Sequence, residues 1–401
     1  MSVPSLVTMH EQHRHSPSTA TGRDGPAASR ILALSVLLAT LHASSGLSAP
    51  PHRAGSSLTI KTTGPRLSPS RSAPFAPNTQ SRTSLAAVTL PAGLLSAPLP
   101  ISICAACLLP TTLGYYRSEY GVSYGYGMAV GISAIILLRH TSTPVALPAA
   151  AVWHACALAF YGARLCVFLA YREINVERFQ KMRERIEERA KTRGGRLART
   201  PFIMSCALLY AGLVAPVVLT RMCLSGTGVW WNRAVGACVG ITWAGFLFAA
   251  FGDTAKSVAK ASRRRDGVPE DTPEMLVTKG VFSVVRHPNY TGEAIGWTAS
   301  AAAAFIAIAA RSAAGGPLLP RMTIGGLLVL CGVGVAGINF ILANATGGLE
   351  RRHMEMYGES PKYEKWVNSS WGGFSIGGRG KVTKSKEIKE KKEEQEEDFA
   401  I

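Results

Sequence analysis

Lys279-Gly280-Val281-Phe282-Ser283-Val284-Val285-Arg286-His287-Pro288-Asn289-Tyr290-Thr291-Gly292-Glu293 is the densest run of chemically capable side chains in a chain otherwise dominated by small apolar residues. It stands between a charged loop and an apolar run beginning near Ala294, which predicts polar groups at a membrane surface, at the entrance to a helix. Pro288 fixes its own φ and biases His287 toward an extended conformation, aiming Arg286 and His287 away from the helix that follows. Asn289, Tyr290 and Glu293 then fall on the first helical turns, where unpaired backbone N–H groups and the helix dipole favour an anion. An arginine, a histidine and a helix N-terminus make a plausible seat for a phosphate or carboxylate. The plainer reading treats Arg286 and Lys279 as cations flanking a span and His287 as a loop residue.

Outward from this stretch, the run from Ala294 to Ala310 has counterparts at Leu85 to Leu113, Val122 to Leu138, Ala146 to Tyr171, Pro201 to Thr220, Trp230 to Phe251 and Met322 to Asn344. With 17% charged and 47% apolar residues over 401 positions, the chain reads as a polytopic membrane protein rather than several soluble domains. The fold class expected is an all-α bundle of about six to seven transmembrane helices. The alanine of the sixth span and the glycine of the seventh predict close helix approach. The net charge of +18 gathers in an acid-poor N-terminal region and in loops beside the spans, which reads as targeting and topology, with no nucleic acid as partner. Three basic stretches follow spans three, five and seven, so alternating spans put them on one face together with the central cluster.

Residues 1 to 85 read as a disordered presequence. Ile31 to Leu41 has the length of a signal-peptide apolar core, and Gly25 to Ser118 contains no Asp or Glu while Ser, Thr, Pro and Arg abound. That pairing favours a plastid membrane over the endoplasmic reticulum. The transmembrane domain is then 86 to 380, and Lys381 to Asp398 lies in a solvated Lys/Glu tail that runs to the C-terminus. Arg172 to Arg199, with ten Lys or Arg and five Glu, predicts a helix on the membrane surface carrying ion pairs from residues such as Glu184, Glu188 and Lys191. Cys104 and Cys107 form a lone C-x-x-C inside a span, where thiols packed as small apolar residues are the expectation and no metal site is assigned.

Arg164 lies deep in the third span, where a charge is costly unless it meets a polar cavity. Asp253 and Lys256 open the loop after span five, able to pair with each other or, for Asp253, to accept from a ribose hydroxyl.

The run R-H-P-N-Y-x-G-E from Arg286 to Glu293 resembles the signature of the steroid 5-alpha-reductase-like membrane proteins of the DUF1295 group. It is less closely similar to the R-H-P-x-Y motif of the isoprenylcysteine carboxyl methyltransferases. Arg164 and Arg172 match the R-L-x(6)-R pattern on an early helix of the reductase-like group, and Asp253 and Lys256 match its D-x-x-K element. Leu349-Glu350 through Tyr363 and Trp366 resembles its closing L-E-x(n)-G-x-x-P-x-Y-x-x-Y element, with Trp366 at the last aromatic position and the closing proline absent after Ser370. The resemblance covers roughly residues 150 to 375.

What the resemblance implies is an integral membrane oxidoreductase that reduces a C=C bond of a lipophilic sterol, isoprenoid or acyl substrate with NADPH. Arg164, Arg172, Asp253, Lys256, Arg286, His287, Asn289, Tyr290 and Glu293 would then hold the cofactor. A hydride needs a proton donor beside it, and Tyr161 and Tyr210 are the positional candidates. Alternatives from the same motifs are an S-adenosylmethionine-dependent methyltransferase and a membrane protein without catalysis.

Overall fold

The computed structural model describes residues 97–140, 148–192, 194–270, 272–315 and 321–375. The expected presequence and charged tail lie outside the described residues. What is described is helical: α1 (Leu99–Thr111), α2 (Leu113–Tyr116), α3 (Ser118–Val122), α4 (Tyr124–Arg139), α5 (Ala149–Asn175), α6 (Glu177–Thr192), α7 (Thr200–Cys223), α8 (Val229–Arg265), α9 (Pro288–Ala313), α10 (Arg321–Tyr357) and α11 (Pro361–Ser369). Seven segments are long and apolar enough to cross a membrane: α1 with α2, α3 with α4, α5, α7 with the turn before it, α8, α9 and α10. The expected all-α polytopic class and span order are what the chain adopts.

Two of these helices are longer than a bilayer requires. α8 and α10 each run for 37 residues, about 55 Å at 1.5 Å per residue, against a hydrocarbon core of about 30 Å. Their C-terminal turns, carrying Asp253 to Arg265 and Glu350 to Tyr357, overrun the apolar layer on the same side. That side also receives the end of α5, all of α6 and the start of α9.

Glycine sets the closest helix pairs, because packing rather than water exclusion drives association in lipid. A methyl group on Gly245 of α8 would stand 2.6 Å from the carbonyl oxygen of Gly292 on α9, and one on Gly212 of α7 would stand 2.5 Å from the carbonyl of Leu330 on α10. The centre of the bundle is aromatic. Tyr126 stacks on Tyr210 at 5.0 Å, and Tyr161 meets Trp297 edge-on at 5.0 Å. Toward the opposite end, fully buried His154 sits between Thr220 Oγ1 at 3.2 Å and Ser300 Oγ at 2.8 Å, tying α5, α7 and α9 together.

α6 is held by more than its own charge pattern. Lys181 pairs with Glu177 along the helix at 2.8 Å, but the stronger anchors reach off it. Buried Arg183 donates to Glu173 at 2.7 Å and lies on the rings of Tyr120, Tyr124 and Phe179. Glu187 accepts from Arg199 at 2.8 Å. The helix expected on the membrane surface is therefore pinned to α3, α4, α5 and the turn before α7 from its inner face.

Gly245→Ala is expected to lower the stability of the detergent-solubilised protein by about 1–3 kcal/mol, the usual cost of overpacking. Gly240→Ala, where an added methyl group meets nothing within 4 Å, is expected to leave it unchanged or slightly raised. Thermal unfolding of the two variants side by side measures the difference.

Candidate functional site

The overrunning turns of α8 and α10, with the end of α5, α6, and the starts of α7 and α9, enclose a cavity of about 940 Å³. Small-molecule cavities typically measure about 300–1,000 Å³, so this one stands near the top of the range. Ten Lys or Arg line it against three carboxylates, Asp253, Glu270 and Glu355. Glu270 is further neutralised, since it pairs with Arg264 and lies 3.6 Å from Arg178. Burial pushes the Glu270 carboxyl up, but the Arg264 hydrogen bond and the surrounding cations outweigh it and hold it below the usual range. The net field in the cavity is positive.

Five residues nominated from the sequence line this space together: Arg172, Asp253, Lys256, Asn289 and Tyr290. Arg172 ends α5 with its guanidinium 4.1 Å from the ring centre of Phe179, which orients it without consuming its donors. Asn289 and Tyr290 occupy the first turn of α9 because Pro288 starts that helix, its missing N–H costing nothing at the first position.

Arg164 and Glu293 lie apart from the lining, deeper in the bundle. Arg164 bridges Asp253 at 2.7 Å and Glu293 at 3.4 Å, all three side chains being nearly buried. Glu293 also accepts a hydrogen bond from the Tyr161 hydroxyl at 2.8 Å, and Arg164 stacks on the Tyr161 ring at 5.0 Å. One guanidinium thus serves two carboxylates, and the expected ligand-binding arginine is instead the member that fixes Asp253 in place. Tyr161 is fully buried beneath this network. Tyr210 donates to the carbonyls of Gly121 and Val122 at 3.2 and 3.3 Å. Neither tyrosine expected as a proton donor is among the residues that line the cavity.

Arg286 and His287 take a different part from the anion seat expected of them. Glu350 on α10 uses one carboxylate oxygen to accept from Arg286 Nε at 2.8 Å and to meet His287 Nε2 at 2.6 Å. Arg286 Nη1 donates to the carbonyls of Val367 at 3.0 Å and Ser370 at 2.5 Å. The backbone joins in, through Arg286 N to Trp371 O and Trp371 N to Val284 O, both 2.8 Å. Trp366 Nε1 donates to Phe282 O at 2.6 Å. The segment before α9 and the segment around α11 are thereby clasped to the end of α10. The missing proline after Ser370 does not loosen this end, because Ser370 and Trp371 are themselves the docked residues. Arg286 reaches only a pouch of about 20 Å³ beside the main cavity, shared with Lys256, Lys260 and His353 and large enough for about one water.

The profile of DUF1295, a protein of unknown function, matches residues 124–370, from the start of α4 to the clasp. The chain belongs to the DUF1295 family. No curated protein and no solved structure matches it significantly. The DUF1295 region contains the clasp except for Trp371, and nearly the whole cavity lining; Ser118 of α3 is the lining residue outside it. Among the described residues no group of His, Cys, Asp and Glu is arranged to hold a metal, and the cysteines are free thiols.

Sequence reasoning missed Glu350 as the partner of Arg286 and His287, although it named the Leu349-Glu350 element. It also passed over Lys260 as a lining residue, whose i+4 spacing from Lys256 along one helix was the available signal.

Glu350→Ala is expected to cost about 3–5 kcal/mol by leaving two buried basic groups unpaired, read as a lowered unfolding temperature with faster proteolysis at α11. Burial holds the His287 imidazole below its ordinary value, against the raising effect of Glu350 and with the help of Lys256 and Arg286. The unfolded chain therefore takes up this proton first, and stability is expected to fall as pH drops below about 6.5. His287→Asn should flatten that decline in an unfolding series from pH 8 to pH 5.

Proposed function

We propose that this DUF1295 protein is a membrane oxidoreductase that reduces a C=C bond of a lipophilic substrate with NADPH. The observation that carries the reading is the large, net-cationic cavity at the membrane surface with Asp253, Asn289 and Tyr290 in its lining. Its donor set fits a dinucleotide. Arg172, Lys256, Lys260 and Arg264 offer charge-assisted hydrogen bonds to phosphates, Asp253 accepts from a ribose hydroxyl, and the Asn289 side chain both donates and accepts. NADPH, when bound, supplies a hydride. The matching proton comes from the chain, and among its phenols Tyr171, Tyr290 and Tyr357 line the cavity, whereas Tyr161 and Tyr210 are engaged elsewhere.

The same field weighs against the methyltransferase alternative. S-adenosylmethionine carries a sulfonium and an ammonium against one carboxylate, so ten lining cations would repel it. In the cell the reading places the protein in a plastid membrane, on the composition of residues 1 to 85.

Purified full-length protein titrated with NADPH is expected to rise in unfolding temperature, since a ligand bound only by the folded state stabilises it. Lys256→Ala or Arg172→Ala should weaken that binding by about tenfold or more, the worth of one charge-assisted hydrogen bond. Arg286→Ala, by contrast, should lower stability with or without NADPH. Protection by S-adenosylmethionine alone, or by neither ligand, overturns the reading.

A further inference from the structure

The cavity holds more positive charge than one dinucleotide engages, and the surplus comes from particular elements. α5, α8 and α9 contribute a polar share, including Arg172, Asp253, Lys256, Asn289 and Tyr290. The share from α6, α7 and α10 is of another kind. It is apolar at Phe179, Met182 and Ile186 of α6, Phe202 of α7, and Leu349 and Met356 of α10. It is cationic at Arg185, Arg189, Arg351 and Arg352. No Ser, Thr, Asn or Gln from these three helices lines the cavity, and their neutral polar members are His353 and Tyr357 of α10.

The helical spacing puts the two characters side by side. Met182 and Ile186 are four residues apart, as are Arg185 and Arg189, so an apolar row and an arginine row run next to each other on α6. Leu349, Arg352 and Met356 repeat the pattern at spacings of three and four on α10. Glu355 is the carboxylate in this share, one against five arginines when Arg178 of α6, which lies 3.6 Å from Glu270, is counted with the other four. A sterol or an alcohol presents a single hydroxyl or ketone, which one neutral side chain satisfies. Guanidinium groups in number match phosphate oxygens in number, and the apolar rows match a flexible hydrocarbon chain.

We infer that the α6, α7 and α10 lining binds an amphiphile with a phosphate or diphosphate head and an aliphatic tail, the head at Arg185, Arg189, Arg351 and Arg352. Resting on the reductase reading above, this amphiphile is the substrate whose C=C bond is reduced. The binding itself stands without that reading.

Full-length protein in neutral detergent is titrated with geranylgeranyl diphosphate, geranylgeraniol, inorganic pyrophosphate and dioctanoyl phosphatidic acid, with an NADPH titration in parallel. The diphosphate is expected to bind at least about tenfold more tightly than the alcohol of the same chain and than pyrophosphate. In Arg351→Gln/Arg352→Gln and in Arg185→Gln/Arg189→Gln the preference over the alcohol should shrink by about tenfold, Arg351→Lys/Arg352→Lys should restore part of it, and NADPH affinity should stay unchanged. The lysine pair keeps the charge, so its partial recovery separates lost recognition from a misfolded protein. Equal binding of the alcohol and the diphosphate, or a preference that survives both glutamine pairs, overturns the inference. Phosphatidic acid binding as tightly as the isoprenyl diphosphate overturns the substrate assignment and leaves a seat for a membrane phospholipid. A diphosphate preference without NADPH binding sinks the reductase reading while supporting the head-group site.

Discussion

A single carboxylate oxygen, on Glu350, receives Arg286 and His287 from more than sixty residues earlier in the chain. Taking a carboxylate out of water costs several kcal/mol, so the group is tolerated there because a guanidinium and an imidazole face it at hydrogen-bonding distance. Much rests on that meeting. α11 has nine residues and cannot persist as an isolated helix, and the turns before α9 carry few hydrogen bonds of their own. With Glu350 between them, these pieces and the projecting end of α10 behave as one wall, and the wall closes one side of the cavity. The charge that looks most catalytic in the sequence is thus engaged in architecture, and less distinctive residues face the cavity.

The fold was legible because membrane insertion is a nearly one-dimensional problem. Each span is apolar over its own length, so hydropathy finds it without knowledge of its neighbours. Parity was legible for the same reason, and it correctly brought the stretches after spans three, five and seven to one face. Arg172, Asp253, Lys256, Asn289 and Tyr290, each named from a motif, line one cavity. What stayed hidden was every partnership between distant positions. Nothing near Arg164 in sequence announces Asp253 and Glu293, and nothing near His287 announces Glu350. Tyr161 and Tyr210 failed to reach the cavity because a tyrosine in a span looks the same whether its hydroxyl meets a ligand, a carboxylate or a backbone carbonyl. The glycine contacts were visible in kind but not in pairing: richness in glycine and alanine foretold close approach, not that Gly245 would face Gly292.

The buried group of Tyr161, Arg164, Asp253 and Glu293 has a consequence for the space above it. Polar side chains at membrane depth persist when they satisfy one another, and here the tyrosine hydroxyl, one guanidinium and two carboxylates do so across α5, α8 and α9. The arrangement leaves Asp253 half in the network and half in the cavity. Its negative charge is therefore fixed in position rather than free to collapse onto Lys256 three residues away, and the lining cations remain turned toward the space they share.

Helix length explains why the charged space lies where it does. α8 and α10 exceed the hydrocarbon thickness by about 25 Å, and the excess is taken on one side, where both helices become polar. The proposed aqueous cofactor would meet these turns without crossing the apolar layer. In the proposed reaction a lipid chain would reach the same turns from the other direction, since α6 lies against the cavity with Met182 and Ile186 in its lining while Arg183 and Glu187 hold it to the bundle. Had the two helices stopped at the membrane boundary, Asp253, Lys256 and Arg352 would have lost the scaffold that brings them to one cavity.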